Sequence, residues 1–155
     1  MTNQFILDNT DLQILRTLQG NARISNADLA RELGMAPSGV LERVKKLEQK
    51  GIINSYEVNI NPAAVGLNLL AFINIKTKDA IGSDETGKIL AKIPEVLEVH
   101  NITGVYCFLL KIRVENSEKL MEVMRKSLSP IKSIVETQTI IVLETVKDSS
   151  KLAFS

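Results

Sequence analysis

Ser38, Gly39, Glu42, Lys46 and Gln49 recur along one side of a helical stretch that opens at Pro37, and Arg43 and Lys45 flank them. Placed about 100° apart around a helix axis, they lie opposite Val40, Val44 and Leu47. Small residues near a helix start admit close approach to a duplex, and the positive end of the helix favours a phosphate. The long cations reach phosphates or base edges. The chemistry on offer is nucleic-acid recognition. A solvated charged face is the ordinary alternative for such a helix, and charge alone does not separate the two.

Residues suited to catalysis are sparse. His100 and Cys107 fall on opposite sides of a break at Gly104, with no carboxylate pair and no Gly-rich phosphate loop beside them. An enzyme on this chain is the weakest reading. A single His and a single Cys do not make a zinc site, and neither metal nor cofactor is expected. The lone cysteine cannot form an internal disulfide.

A chain of 155 residues, 45% hydrophobic and 24% charged, can bury one core or two small ones. Its longest apolar stretches, around 69–75 and 140–143, fall far short of the ~20 residues of a spanning helix. Met1 to Asp8 lacks the basic start and long apolar middle of a secretory signal, so a cytoplasmic protein is expected. With a net charge of only +1, any nucleic-acid contact must come from local arrangement.

The elements that would position these residues are legible from start and stop signals. Asp8 is placed to cap a first helix carrying Leu12, Leu15 and Leu18, with Gly20 able to end it in the left-handed conformation. Ser25 followed by Asp28 resembles a capping box, and Leu29, Ala30 and Leu33 form a stripe closed by Gly34. Pro37 suits the first turn of the third helix, whose apolar face is Val40, Leu41, Val44 and Leu47 before Gly51. Ala30 is small where two helices approach, Gly34 permits a tight turn, and Val40 pins the second of the pair, which is what a helix-turn-helix demands.

From 52 to 67 β-branched residues, asparagines and Pro62 replace the helical spacing, giving an extended linker. Beyond it come strand-like alternation at 69–77, a helix over 83–93 stopped by Pro94, and an extended run over 96–103. After Gly104 follow alternation at Phe108, Leu110, Ile112 and Val114, a helix over 116–128, and a β-rich run over 135–145. The order β-α-β-β-α-β is that of a ferredoxin-like sandwich. The expected fold is α+β: a winged-helix-like helix-turn-helix domain over 1–51, a linker strand over 52–67 and a ferredoxin-like domain over 68–155.

Over 1–60, Arg16, Arg23, Arg31, Arg43, Lys45, Lys46 and Lys50 are balanced by Asp8, Asp11, Asp28, Glu32, Glu42, Glu48 and Glu57. One such neutral domain binds DNA weakly, because affinity follows the number of phosphates neutralised. Useful occupancy requires several tethered copies.

The chain resembles the leucine-responsive and asparagine regulatory (Lrp/AsnC, or feast/famine) family of transcription factors. The resemblance runs from Leu7-Asp8-Asn9-Thr10-Asp11-Leu12-Gln13-Ile14-Leu15 through Asn21-Ala22-Arg23-Ile24-Ser25 and Asp28-Leu29-Ala30-Arg31-Glu32-Leu33-Gly34. It continues through Arg43-Val44-Lys45-Lys46-Leu47-Glu48, Gly51-Ile52-Ile53, Asn61-Pro62, Gly66 and Ile102-Thr103-Gly104-Val105-Tyr106.

This resemblance implies a regulator that binds double-stranded DNA and answers to a small metabolite, often an amino acid. It further implies dimers assembled into octamers and association with the nucleoid. The expected DNA-contacting set is Ser25, Asn26, Ser38, Gly39, Glu42, Arg43, Lys45 and Lys46. The linker near 56–60 would pair with its symmetry mate, and an apolar outer sheet face including Leu109 would be buried in the dimer. The family's effector binds beside a Gly-x-Tyr-Asp type loop, here Thr103, Gly104, Val105, Tyr106 and Cys107, with Gln138 as a further polar lining residue. The chain departs from the pattern twice. Cys107 stands where an acidic residue is usual, removing an anion that could hold an ammonium group. Ala36 stands where a serine would cap the third helix. A metabolite-sensing assembly module without DNA binding remains the alternative from another class.

Overall fold

The computed structural model describes residues 6–155. Met1 to Phe5, part of the stretch read for a signal sequence, lie outside the described residues. The chain divides into two compact units, 1–59 with 149–155, and 60–148.

In the first unit α1 (Asn9–Gly20), α2 (Asn26–Leu33) and α3 (Pro37–Gln49) surround Ile14, Leu29, Ala30, Val40, Val44 and Leu47. Asp8 caps α1 as expected, and Asp11 returns the bond to the Asp8 backbone, closing a full capping box. Gly34 takes φ +64 at the α2–α3 turn, where an L side chain would be strained.

Three local expectations are corrected. Gly20 stays helical and Asn21 ends α1 in an extended conformation. The deepest residue of α1 is Ile14, fully buried, while Leu12, Leu15 and Leu18 sit partly exposed at its margins. Leu41 points to solvent, because it falls one position outside the Val40, Val44 and Leu47 stripe.

The C-terminal seven residues, expected in the ferredoxin-like domain, cluster with the first unit instead. Gln19 grips the Leu152 backbone in both directions, donating to its carbonyl at 3.0 Å and accepting from its N–H at 2.7 Å. Arg16 donates to the Phe154 carbonyl and lies over the Phe154 ring, 5.5 Å from its centroid.

The linker is corrected too. Ile52 and Ile53 fold back onto the Leu47 carbonyl and the helical core, and residues 54–61 carry no regular secondary structure. Pro62–Val65 forms a 3-10 turn capped by the Asn61 side chain and closed by Gly66 at φ +80.

The second unit is a four-stranded antiparallel sheet in the order β2-β3-β1-β4, built from β1 (Leu69–Thr77), β2 (Val96–Asn101), β3 (Phe108–Val114) and β4 (Ile134–Ile141). With α4 (Glu85–Leu90) and α5 (Ser117–Val123), it reproduces the expected β-α-β-β-α-β order. Phe108, Leu110, Ile112 and Val114 alternate into one core with Ala71, Ile73, Ile75, Leu90, Leu120, Val123 and Leu128. Gly87 allows α4 its close approach: a β-carbon there would stand 2.7 Å from the Phe108 ring.

Both helices differ from the sequence expectation. α4 ends early because the backbone tightens into three-residue turns at Lys92 and Ile93, which carries Ile93 into the core. α5 continues as a π-helical turn, Met124–Leu128, closed by the Ser129 N–H on the Met124 carbonyl. Buried Thr86 joins the two ends of this region, its hydroxyl bonded to Asp79 and to Ser133.

The other sheet face bears Leu70, Phe72, Asn74 and Lys76 from β1 and half-buried Leu109, Lys111 and Arg113 from β3. Opposite β1 on β4 stand Ile140, Gln138 and Glu136. This face is mixed rather than apolar. Its hydrophobic residues alternate with the Asn74–Gln138 pair and with Glu98, which contacts both His100 and Lys111.

Candidate nucleic-acid interface and effector loop

α3 rises from Ala36, whose extended φ −69, ψ 139 is the geometry of a capping residue but whose methyl group supplies no oxygen. Its first turn therefore leaves the Ser38 N–H without a protein partner among the described residues. Ser38, Glu42, Lys45 and Lys46 are exposed on the face away from the core, and Gly39 is half-buried beside Met35. Glu42 and Lys46 form an i,i+4 pair at 3.0 Å, which lowers the net charge of the stripe. Lys45 makes no ion pair among the described residues.

Arg43 is turned inward. Its Nη1 donates to Asp8 at 2.7 Å and to Asp11 at 2.9 Å, tying α3 to the capping box of α1. The bond to Asp8, then that to Asp11, push the guanidinium's pKa above its ordinary value, so it stays charged as a structural cation. Asp8 is held below the ordinary aspartate value, first by the Asp11 backbone N–H and then by Arg43. Ser25 caps α2, accepting from the Asp28 N–H at 3.0 Å and donating to its carboxylate at 2.7 Å, while Asn26 is exposed beside it. Tyr56 donates to Glu48 at 2.8 Å and is pushed up to about 12, mainly by burial and then by that carboxylate.

In the second unit the loop after β2 is closed by the Ile102 N–H on the Cys107 carbonyl and the Cys107 N–H on the Ile75 carbonyl. Between these ties Gly104 takes φ +109, with open space around it, so glycine is required by conformation rather than crowding. Thr103 and Val105 are exposed. Cys107 is half-buried against the core. Tyr106 donates to Glu136 on β4 at 3.1 Å, and its hydroxyl is pushed above its ordinary pKa by burial and then by Glu136.

Gln138 lies two residues further along β4, on the outer sheet face, with its amide oxygen engaged by Asn74 at 3.1 Å. The β4 residue bonded to the loop is therefore Glu136, which sequence reasoning missed. Its only signal in the sequence was an acidic residue in a β-rich run.

The surroundings of these two sites match known proteins along most of the chain. A winged helix-turn-helix DNA-binding model covers residues 7–54, and an Lrp/AsnC ligand-binding-domain model covers residues 70–152. The HTH-type transcriptional regulator FL11 of Pyrococcus furiosus is 37% identical over 95% of this chain and 96% of its own. The leucine-responsive regulatory protein of Escherichia coli is 32% identical over 94% of this chain and 90% of its own. Among solved structures, Escherichia coli AsnC superposes with a TM-score of 0.87 at 31% identity, covering 95% of this chain and 99% of that one. A Neisseria meningitidis transcriptional regulator in complex with L-Met gives the same TM-score at 31% identity, covering 96% and 97%. No helix among the described residues is long and apolar enough to cross a membrane. With helix-turn-helix and βαββαβ units in this order, the chain belongs to the Lrp/AsnC family of transcriptional regulators.

Proposed function

We propose that this chain is a sequence-specific, nucleoid-associated regulator in which α3 enters the major groove and a small metabolite, an amino acid, biases the assembly that presents it. The observation that carries the reading is the outward stripe Ser38, Glu42, Lys45 and Lys46, opposite the buried Val40, Val44 and Leu47. The Ser38 hydroxyl and its uncapped N–H suit a phosphate, and Lys45 and Lys46 suit phosphates or guanine edges. Ser25, Asn26 and Gly39 lie at helix starts where a backbone can approach closely. Arg43 acts through α3's seating on α1 rather than by touching DNA.

The stripe holds few unpaired cations, so one unit grips a duplex weakly and affinity comes from tethered copies. The outer face around Phe72, Leu109 and Ile140, with the segment 54–61 bearing exposed Val58 and Ile60, supports a symmetric dimer and an octamer built from it. The loop Thr103 to Cys107 supports an amino-acid site, in keeping with the L-Met complex of the Neisseria regulator. A ligand that favours one assembly changes the spacing of the reading helices on bent DNA. Genomic footprinting of the purified chain, with and without each of the twenty amino acids, tests this reading. Discrete protected sites whose pattern shifts with a ligand support it, and a purified assembly that protects no site would refute it.

A further inference from the structure

We propose that Glu136 supplies the carboxylate for the effector's ammonium group that the loop itself lacks at Cys107, with Tyr106 as its positioning residue. The inference rests on the amino-acid reading above and adds to it the residue that selects a free α-amino group. Three observations converge. Glu136 Oε1 accepts from Tyr106 at 3.1 Å, which fixes the carboxylate beside the Gly104 turn. Its second oxygen has no hydrogen-bond partner among the described residues. Lys76 lies directly across on β1, yet no ion pair joins the two among the described residues.

The turn supplies the complementary half. The N–H groups of Thr103, Gly104, Val105 and Tyr106 make no hydrogen bond within the protein among the described residues, whereas the flanking Ile102 and Cys107 N–H groups are both used. Free amides on a positive-φ turn can receive a carboxylate. A free carboxylate oxygen held by a tyrosine hydroxyl can receive an ammonium. Together they match the two charged ends of an α-amino acid, and the geometry discriminates against ligands whose amine is blocked.

The test is calorimetry on the full chain. Each of the twenty L-amino acids is titrated into the wild-type protein, the tightest is carried forward, and its N-acetyl derivative is titrated alongside. Glu136→Gln is expected to weaken that amino acid tenfold or more with an unchanged melting temperature, Tyr106→Phe to weaken it less, and the N-acetyl derivative to give no heat with wild type. Binding by Glu136→Gln at wild-type affinity, or wild-type binding of the N-acetyl derivative, overturns the inference while leaving the amino-acid reading intact. No heat from any of the twenty with wild type overturns both. If Glu136→Gln fails to fold, Tyr106→Phe and the N-acetyl derivative decide: unchanged binding in either experiment overturns the inference.

Discussion

The guanidinium of Arg43 lies 2.9 Å from the carboxylate of Asp11, whose side chain is only 7% exposed. A residue whose charge and position suit DNA thus also ties α3 to α1. Arg43→Ala leaves that carboxylate buried without its cation and is expected to destabilise the first unit by ~1–3 kcal/mol. Denaturant unfolding checks this. The loss in the Arg43→Ala, Asp11→Ala double variant is expected to be well below the sum of the singles, and strict additivity would mean the pair does not interact.

The Asp8 cap of α1 makes the first unit acid-sensitive. Because Asp8 titrates below its ordinary value of 3.8 when folded, its contribution is fully present above that value and is lost as the pH falls through the lowered one. In the second unit Glu98 and Glu122 are also lowered, by His100 and by Lys126 first, which gives that unit an acid limb of its own. Melting curves of wild type and Asp8→Asn are therefore expected to converge as the pH drops below about 3.8 and to separate above it. A constant gap between them across that range would contradict the assignment.

Ala36 already has the backbone of a helix cap and lacks only the oxygen. Ala36→Ser is expected to raise the stability of the first unit by ~0.5–2 kcal/mol, read as a higher melting temperature. An unchanged melt would show that the Ser38 N–H is satisfied in some other way.

Much of this was legible in the sequence because local rules sufficed. Asp8, Ser25, Gly34 and Pro37 act on backbone within a few residues of themselves, and the alternation at Phe108 to Val114 follows from pleat geometry. What was not legible depends on partners distant along the chain. Arg43 is claimed by Asp8 and Asp11, the tail by Gln19 and Arg16, and Tyr106 by Glu136. No spacing rule announces such meetings. Leu41 was misread for a smaller reason, since one helical step separates a buried position from an exposed one, and Gly20 because α1 ends one residue later, at Asn21.

Charge on the α3 stripe makes its own prediction. Lys45→Ala removes an unpaired cation and is expected to weaken binding to all duplexes alike, lowering the salt slope by ~0.9 per chain in contact. Glu42→Gln releases Lys46 from its 3.0 Å partner and removes a like charge from the phosphate side, so tighter binding is expected. Fluorescence anisotropy across a salt series measures both, and a Lys45→Ala slope equal to wild type would place the duplex elsewhere.

The most direct measurement is sedimentation velocity of the full chain with a labelled duplex taken from a footprinted site. If weak reading heads gain affinity only by being yoked together, every tight complex will contain more than one chain, and dilution that separates the subunits will release the DNA. A single chain holding the duplex tightly after dilution would contradict that.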